Sequence, residues 1–165
     1  RMKYFLSDAL NVSINDVETF VLGGHGDDMV PLVNYTTIGG IPLMEYIKMK
    51  KIPISKIQKI VDRTRMGGGE IVKLLKRGSA FYAPASSAIQ MAEAFLQNQK
   101  KLLPCAAFIN GQYGLKNMYM GVPTLIGSKG VEKIIEVKLS ASEKSMLKKS
   151  VKSVQGLVTA VDKLL

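Results

Sequence analysis

His25 is the only histidine of this 165-residue chain and the residue best suited to proton transfer near neutral pH. It lies in the segment Gly23-Gly24-His25-Gly26-Asp27-Asp28, directly after a short apolar run. Three glycines leave space for a ligand beside the imidazole, which a ring that only fills a core does not need. We therefore predict an acid–base role for His25, the alternative being a structural histidine. Asp27 and Asp28 are too close in sequence to be assigned as its orienting carboxylate, and we expect a solvated turn.

Other motifs exclude several kinds of site. Gly67-Gly68-Gly69-Glu70 lacks the Lys-Ser/Thr pair of a phosphate-binding loop, and the glycines around His25 lack the third small residue of the dinucleotide fingerprint. We expect the triple glycine to mark a helix kink or a close backbone contact. One histidine and one cysteine cannot form a multidentate metal site of the usual kind. Cys105 lies in an apolar run, so we predict a buried, inert thiol.

The hydrophobic pattern predicts an α+β fold rather than a regular βαβ alternation. A short helix ends near Asn11, and helical spacing returns after Pro42 and after Ser55, where the triple glycine interrupts it. A further helix is predicted with Pro84 just ahead of it. The predicted segments are strands at 17–22 and 32–38, helices at 42–50, from 55 onward and at 86–99, and an antiparallel meander of strands at 102–110, 118–126 and 131–139.

The last segment is predicted to be a long amphipathic helix. Ser140 and Glu143 form the S-x-x-E pattern of a capping box. Apolar residues then recur at steps of three or four, which places them on one helix face: Leu147, Val151, Val154, Val158, Val161 and Leu165.

Composition places the chain among globular proteins of one domain, with 47% hydrophobic and 22% charged residues. No apolar run is long enough to span a membrane and no leader opens the chain, so we expect a cytoplasmic protein. Twenty-three basic and thirteen acidic residues give a net charge of +10, which raises nucleic acid or another acidic partner as an alternative. The basic run from Lys144 to Lys152 would carry such binding, but no aromatic residues interleave with arginines, so we expect solvated helix faces and no nucleic-acid partner.

Taken together, the motifs resemble those of the lactate and malate dehydrogenase family. The segment Gly23–Pro31, GGHGDDMVP, is similar to the catalytic-histidine loop of that family. The opening residues RMKYFL are similar to the end of its L-D-[ST]-x-R-F-R motif, with Arg1 on the first arginine and the family's spacing from Arg1 to His25. GGGEIV from Gly67, GSAFYAP ending at Pro84, and GQYG from Gly111 resemble the lactate-dehydrogenase-like malate dehydrogenases of bacteria.

This resemblance covers all 165 residues and implies the substrate-binding, catalytic domain of an NAD-dependent enzyme. It implies that His25 exchanges a proton with the 2-hydroxyl of the substrate and that Arg1 binds the adjacent carboxylate through a bidentate pair. Ala80 matches a substrate-pocket position that is small in the malate group, and Pro84 matches a position beside the nicotinamide. Met29 is a further pocket candidate, the alternative being core packing.

The same resemblance implies that part of the enzyme lies outside this chain. The chain begins with Arg1 rather than methionine, and we interpret it as a fragment. The family's nucleotide-binding domain, the aspartate that orients the histidine and the loop that selects the substrate are expected to precede it. We therefore expect residues 1–165 to be inactive alone and the parent to be a homo-oligomer, commonly a tetramer, that interconverts malate and oxaloacetate. Lactate dehydrogenase remains the alternative.

Overall fold

The computed structural model describes residues 1–164, and its fold is the α+β arrangement that the sequence predicts. Helix α1 (Met2–Leu10) opens the chain and ends where Asn11 adopts the left-handed conformation, as expected from a residue that tolerates it. Its buried residues Met2, Leu6 and Leu10 recur every fourth position and therefore share one face. None of the described helices is long and apolar enough to cross a membrane.

The two strands predicted before residue 40 are wrong in extent. Residues 17–22 divide into β1 (Val17–Glu18) and β2 (Val21–Leu22), which belong to different sheets. The division arises because β1 pairs with β4 (Thr37–Ile38), whereas β2 pairs with β3 (Val30–Pro31). Residues 33–35, expected in the second strand, form a 3-10 turn that leads to β4. β5 (Ile41–Pro42) completes the β1-β4-β5 sheet.

The triple glycine does not kink the helix that contains it. After α2 (Leu43–Met49), helix α3 runs continuously from Ile54 to Leu75. The next helix, α4 (Tyr82–Leu96), begins earlier than predicted and includes Pro84 in its first turn, where a missing N–H leaves no hydrogen bond unmade. Within α4 only Ala94 is buried, so its other apolar residues remain exposed.

The predicted antiparallel meander is confirmed. It consists of β6 (Lys101–Asn110), β7 (Lys116–Gly127) and β8 (Gly130–Ile134). Alternate residues of β6 are buried, from Leu103 through Cys105 to Ile109, as a strand with one solvated face requires. β8 ends earlier than predicted: the Ile135 N–H still donates to the Pro123 carbonyl oxygen of β7 at 2.8 Å, but residues 135–139 form no strand.

The predicted C-terminal helix is α5 (Ala141–Asp162), and its capping box is present: Glu143 N–H donates to the Ser140 hydroxyl, and the Glu143 carboxylate accepts the Ser140 N–H. The apolar stripe enters the core only in the first half of the helix. Leu147 and Val151 are buried, whereas Val158 and Val161 are exposed. Leu165 lies outside the described residues.

Two main apolar clusters hold these elements together. One joins α1, α2 and α3 with β1 and β4, and the other joins β2 and β3 with the meander and α5. Arg1 is next in sequence to Met2 of the α1–α3 cluster, and the loop of His25 follows Leu22 of the cluster that contains the meander. The distance between the two side chains therefore depends on how the two clusters pack together.

Candidate active site

The loop that carries His25 is fixed to the meander by its backbone. Gly23 and Gly121 of β7 exchange two N–H···O hydrogen bonds, each 2.9 Å long. A Cβ at Gly121 would lie 2.7 Å from the Gly23 carbonyl oxygen, so the two chains approach this closely only because position 121 is glycine. The residue that begins the loop is therefore tied to the sheet, two residues before His25.

Helix α5 holds the other side of the loop. The fully buried Ser150 accepts the Gly24 N–H at 2.8 Å through its hydroxyl oxygen. Gly23 has φ +92, and a Cβ there would lie 2.5 Å from Ser150 Oγ, so neither backbone conformation nor space allows a larger residue. The backbone on the amino-terminal side of His25 is thus positioned by residues more than ninety positions away in the sequence.

The carboxyl-terminal part of the loop is held by charged side chains. Lys149 of α5 lies 3.3 Å from the Asp28 carboxylate, and Arg65 of α3 donates to the Met29 carbonyl oxygen at 3.1 Å. The pKa of Asp28 is lowered first by a hydrogen bond from Ser153 and then by the hydrogen bond and positive charge of Lys149. Asp27 and Asp28 both lie in a turn, as expected, and Asp28 in addition pairs with Lys149 of α5.

Arg1 reaches His25 across α3. Its Nη2 lies 3.2 Å from His25 Nε2. Because a guanidinium can only donate hydrogen bonds, Nε2 would be the acceptor of this contact. Among residues 1–164 no carboxylate bonds to the imidazole.

The triple glycine of α3 makes room for this arginine. A Cβ at Gly67 would lie 2.9 Å from Arg1 Cδ, and one at Gly68 would lie 3.2 Å from Arg1 Nη1, whereas a Cβ at Gly69 would meet nothing within 4 Å. Of the two alternatives that the sequence left open, the close contact is therefore confirmed and the kink is wrong. The contact is with a side chain, which the sequence alone did not identify.

Arg1, His25 and Met29 line one cavity of about 440 Å³. Its walls come from β2, α3, β6, β7 and α5 and are mainly apolar, among them Val21, Pro104, Ala106, Met120 and Val154. Cys105 also lines it; the residue is buried as predicted, and burial raises the pKa of its thiol. The cavity thus combines a guanidinium and an imidazole with apolar walls, an arrangement that suits a small organic acid.

Two predicted site residues are not part of this cavity. Ala80 lies in the connection between α3 and α4, and Pro84 lies exposed in the first turn of α4. Neither lines the cavity of Arg1 and His25, and their roles remain predictions. Conversely, the sequence analysis missed Ser150 and Gly121, because no local pattern connects either residue with the histidine loop.

The comparison with protein families identifies the class of this domain. The model of the lactate/malate dehydrogenase alpha/beta C-terminal domain matches residues 1–163. The chain belongs to this family, and the resemblance noted in its sequence is confirmed.

Solved structures of both kinds of enzyme are similar to the chain. A malate dehydrogenase of Cryptosporidium parvum is 48% identical with a TM-score of 0.96, and the match covers 98% of this chain and 52% of that one. A lactate dehydrogenase of Eimeria maxima, solved with NADH and oxamate, is 44% identical with a TM-score of 0.95, over 99% of this chain and 51% of that one. A malate dehydrogenase of Salinibacter ruber is 45% identical with a TM-score of 0.90, over 99% and 52%. The chain spans about half the length of these proteins.

Proposed function

We propose that this chain is the catalytic domain of an NAD-dependent malate dehydrogenase, which interconverts (S)-malate and oxaloacetate in the cytoplasm as part of the tricarboxylic acid cycle. The observation that carries the proposal is the Arg1–His25 pair at one cavity, 3.2 Å apart. A guanidinium beside an imidazole matches a 2-hydroxy acid, which presents a carboxylate next to a hydroxyl.

In this mechanism Arg1 binds the carboxylate adjacent to the reacting carbon through two parallel hydrogen bonds. The carboxylate replaces His25 as the partner of the guanidinium, and Nε2 becomes free to accept a proton. In malate oxidation His25 takes the proton of the 2-hydroxyl, and in oxaloacetate reduction the imidazolium returns it to the carbonyl oxygen. The walls beside these groups are mainly apolar, and His25 itself is exposed to solvent.

NAD, when bound, would supply the acceptor and donor of hydride at the same carbon. The residues present fit only one end of it. Apolar walls such as Met29 and Val154 suit the flat face of a nicotinamide. Neither glycine cluster of the described residues suits the phosphates, since Gly67 and Gly68 lie within α3 against Arg1, and the glycines around His25 lack the third small residue of the dinucleotide fingerprint. We therefore propose that a separate nucleotide-binding half holds the remainder of the cofactor, and that residues 1–165 alone do not turn over substrate.

The choice of malate over lactate rests on the sequence resemblance, which implies that a small residue such as Ala80 belongs to the malate group, although Ala80 does not line the cavity of Arg1 and His25. Lactate dehydrogenase is the alternative. The enzyme that combines this chain with a nucleotide-binding half should oxidise NADH with oxaloacetate much faster than with pyruvate, as followed by NADH absorbance. A preference for pyruvate would establish the alternative. No turnover with either acid would refute the proposed function.

Arg1→Lys tests the role of the guanidinium. Lysine keeps the charge but loses the planar fork, so the KM for oxaloacetate should rise, by roughly tenfold or more. An unchanged KM would contradict the assignment of Arg1 to the carboxylate.

We also propose a homo-oligomer with four subunits, the number that the family resemblance implies. Exposed apolar side chains on α4 support it, among them Tyr82, Ile89, Phe95 and Leu96. Sedimentation of the combined enzyme would give the number of subunits.

A further inference from the structure

A second cavity lies on the side of α5 that carries Lys144, Lys148 and Lys152, outside the site of His25. It has a volume of about 700 Å³ and lies between this helix, the turn at residues 113–115 and the segment 137–139. Its floor is aliphatic and consists of Leu115, Val137, Leu139, Leu147 and Val151. We call it the α5 groove. A volume between 300 and 1,000 Å³ with a mainly apolar lining is typical of small-molecule sites.

Four lysines surround this apolar floor. Lys144, Lys148 and Lys152 recur every four residues on α5, which places them on one face about 6 Å apart along the helix. Lys138, in the segment 137–139, also lines the groove. None of the four forms a salt bridge with a carboxylate within residues 1–164.

The two carboxylates next in sequence to the groove, Glu136 and Glu143, are already engaged, Glu143 with the Ser140 N–H. Glu136 accepts the Tyr113 N–H at 2.6 Å. Lys149 belongs to the same basic run but lies on another face of α5 and pairs with Asp28 of the histidine loop. Within the basic run, Lys149 therefore pairs with the histidine loop, whereas Lys144, Lys148 and Lys152 have no carboxylate partner among the described residues.

We propose that the α5 groove binds a single-chain acyl carboxylate, with the hydrocarbon on the aliphatic floor and the carboxylate among the lysines. Charge complementarity requires an anion, and the floor requires an apolar body behind it. Tyr113 is the only aromatic residue of the lining, and its hydroxyl is held by the Val137 N–H at 3.0 Å and the Ile135 carbonyl at 3.2 Å. Single-stranded nucleic acids bind through several aromatic side chains on which successive bases stack, so the one aromatic ring of Tyr113 does not favour a nucleic acid in this groove.

The test is a titration of this chain with octanoate, decanoate and dodecanoate, each below its micelle concentration, followed by calorimetry. Burial of each methylene should tighten binding about fourfold, so each step of two carbons should tighten it about fifteenfold. An affinity that does not change with chain length would overturn the proposal, because the floor would then play no part.

A matched pair of variants tests the lysines. Lys144→Gln/Lys148→Gln should weaken dodecanoate binding about tenfold, since two charge contacts are lost. The control Lys59→Gln/Lys73→Gln removes the same charge from α3, outside the groove, and should bind dodecanoate as the unmodified chain does. Equal affinities for the two double variants would refute the proposal.

Two further outcomes would assign the groove to another occupant and overturn the proposal. Displacement of dodecanoate by a generic DNA duplex, with a steep salt dependence, would favour a nucleic-acid surface. A fall in the sedimentation coefficient of Lys144→Gln/Lys148→Gln relative to its control would assign the groove to contacts between copies of the chain. Because every residue involved lies away from Arg1 and His25, the result does not depend on whether the enzyme acts on malate.

Discussion

Replacing Gly67 by alanine should impair substrate binding even though alanine favours a helix. Alanine is about 1 kcal/mol better than glycine in a helix interior, so the change would stabilise α3 if nothing else were affected. At Gly67, however, the new Cβ would lie 2.9 Å from Arg1 Cδ, and Phe5 ring atoms lie 3.5 and 3.6 Å from the same point. The arginine must therefore move, since the helix backbone cannot.

In the proposed mechanism, displacement of Arg1 removes one or both of its bonds to the substrate carboxylate. A hydrogen bond to a charged group contributes about 1.5–3 kcal/mol, so the loss of one should raise the KM for oxaloacetate by roughly tenfold to a hundredfold. The kcat should change less, because His25 remains in place. The assay is steady-state kinetics of the enzyme that combines this chain with the proposed nucleotide-binding half.

Gly69→Ala is the matched control. Position 69 lies in the same helix two residues further on, and a Cβ there meets nothing within 4 Å. This variant should gain about 1 kcal/mol in the free energy of unfolding and keep the parent KM. If the two variants have the same KM, the contact between Gly67 and Arg1 does not position the guanidinium, and the reasoning is refuted.

Three further predictions concern the histidine loop. His25→Asn should lower kcat by about 10²–10⁴ with native stability retained, measured by single-turnover kinetics and thermal unfolding; full turnover would refute the acid–base assignment. Ser150→Ala leaves the Gly24 N–H without its acceptor and should lower the free energy of unfolding by about 1–3 kcal/mol and also lower kcat. The control Ser145→Ala changes an exposed serine of the same helix and should alter neither quantity. Because the pKa of Asp28 is lowered, its contribution to stability is present at neutral pH and is lost as the pH falls through that pKa. Lys149→Gln should raise the pKa of Asp28 toward its ordinary value, as measured by carboxyl-carbon NMR. An unchanged pKa would contradict the pairing of Asp28 with Lys149.

The sequence predicted best those elements whose signals are local. The capping box of Ser140 and Glu143 and the alternating pattern of β6 each lie within a few residues, and both elements are confirmed. The wrong strand predictions concern segments whose structure depends on partners elsewhere in the chain. Residues 17–22 have the composition of one strand, but their two halves find different partners at residues 37–38 and 30–31, which no local propensity specifies.

For the candidate site, the sequence by itself determined which chemistry is available: one histidine among glycines, one arginine at the family's spacing, and no metal-binding or phosphate-binding motif. Only the tertiary structure decided how these groups are held. Ser150 bonds to an amide 126 positions away, and Gly67 makes room for Arg1 through the absence of a side chain. The physical reason is that chemical reactivity belongs to a side chain, whereas position depends on packing between segments that are distant in the sequence.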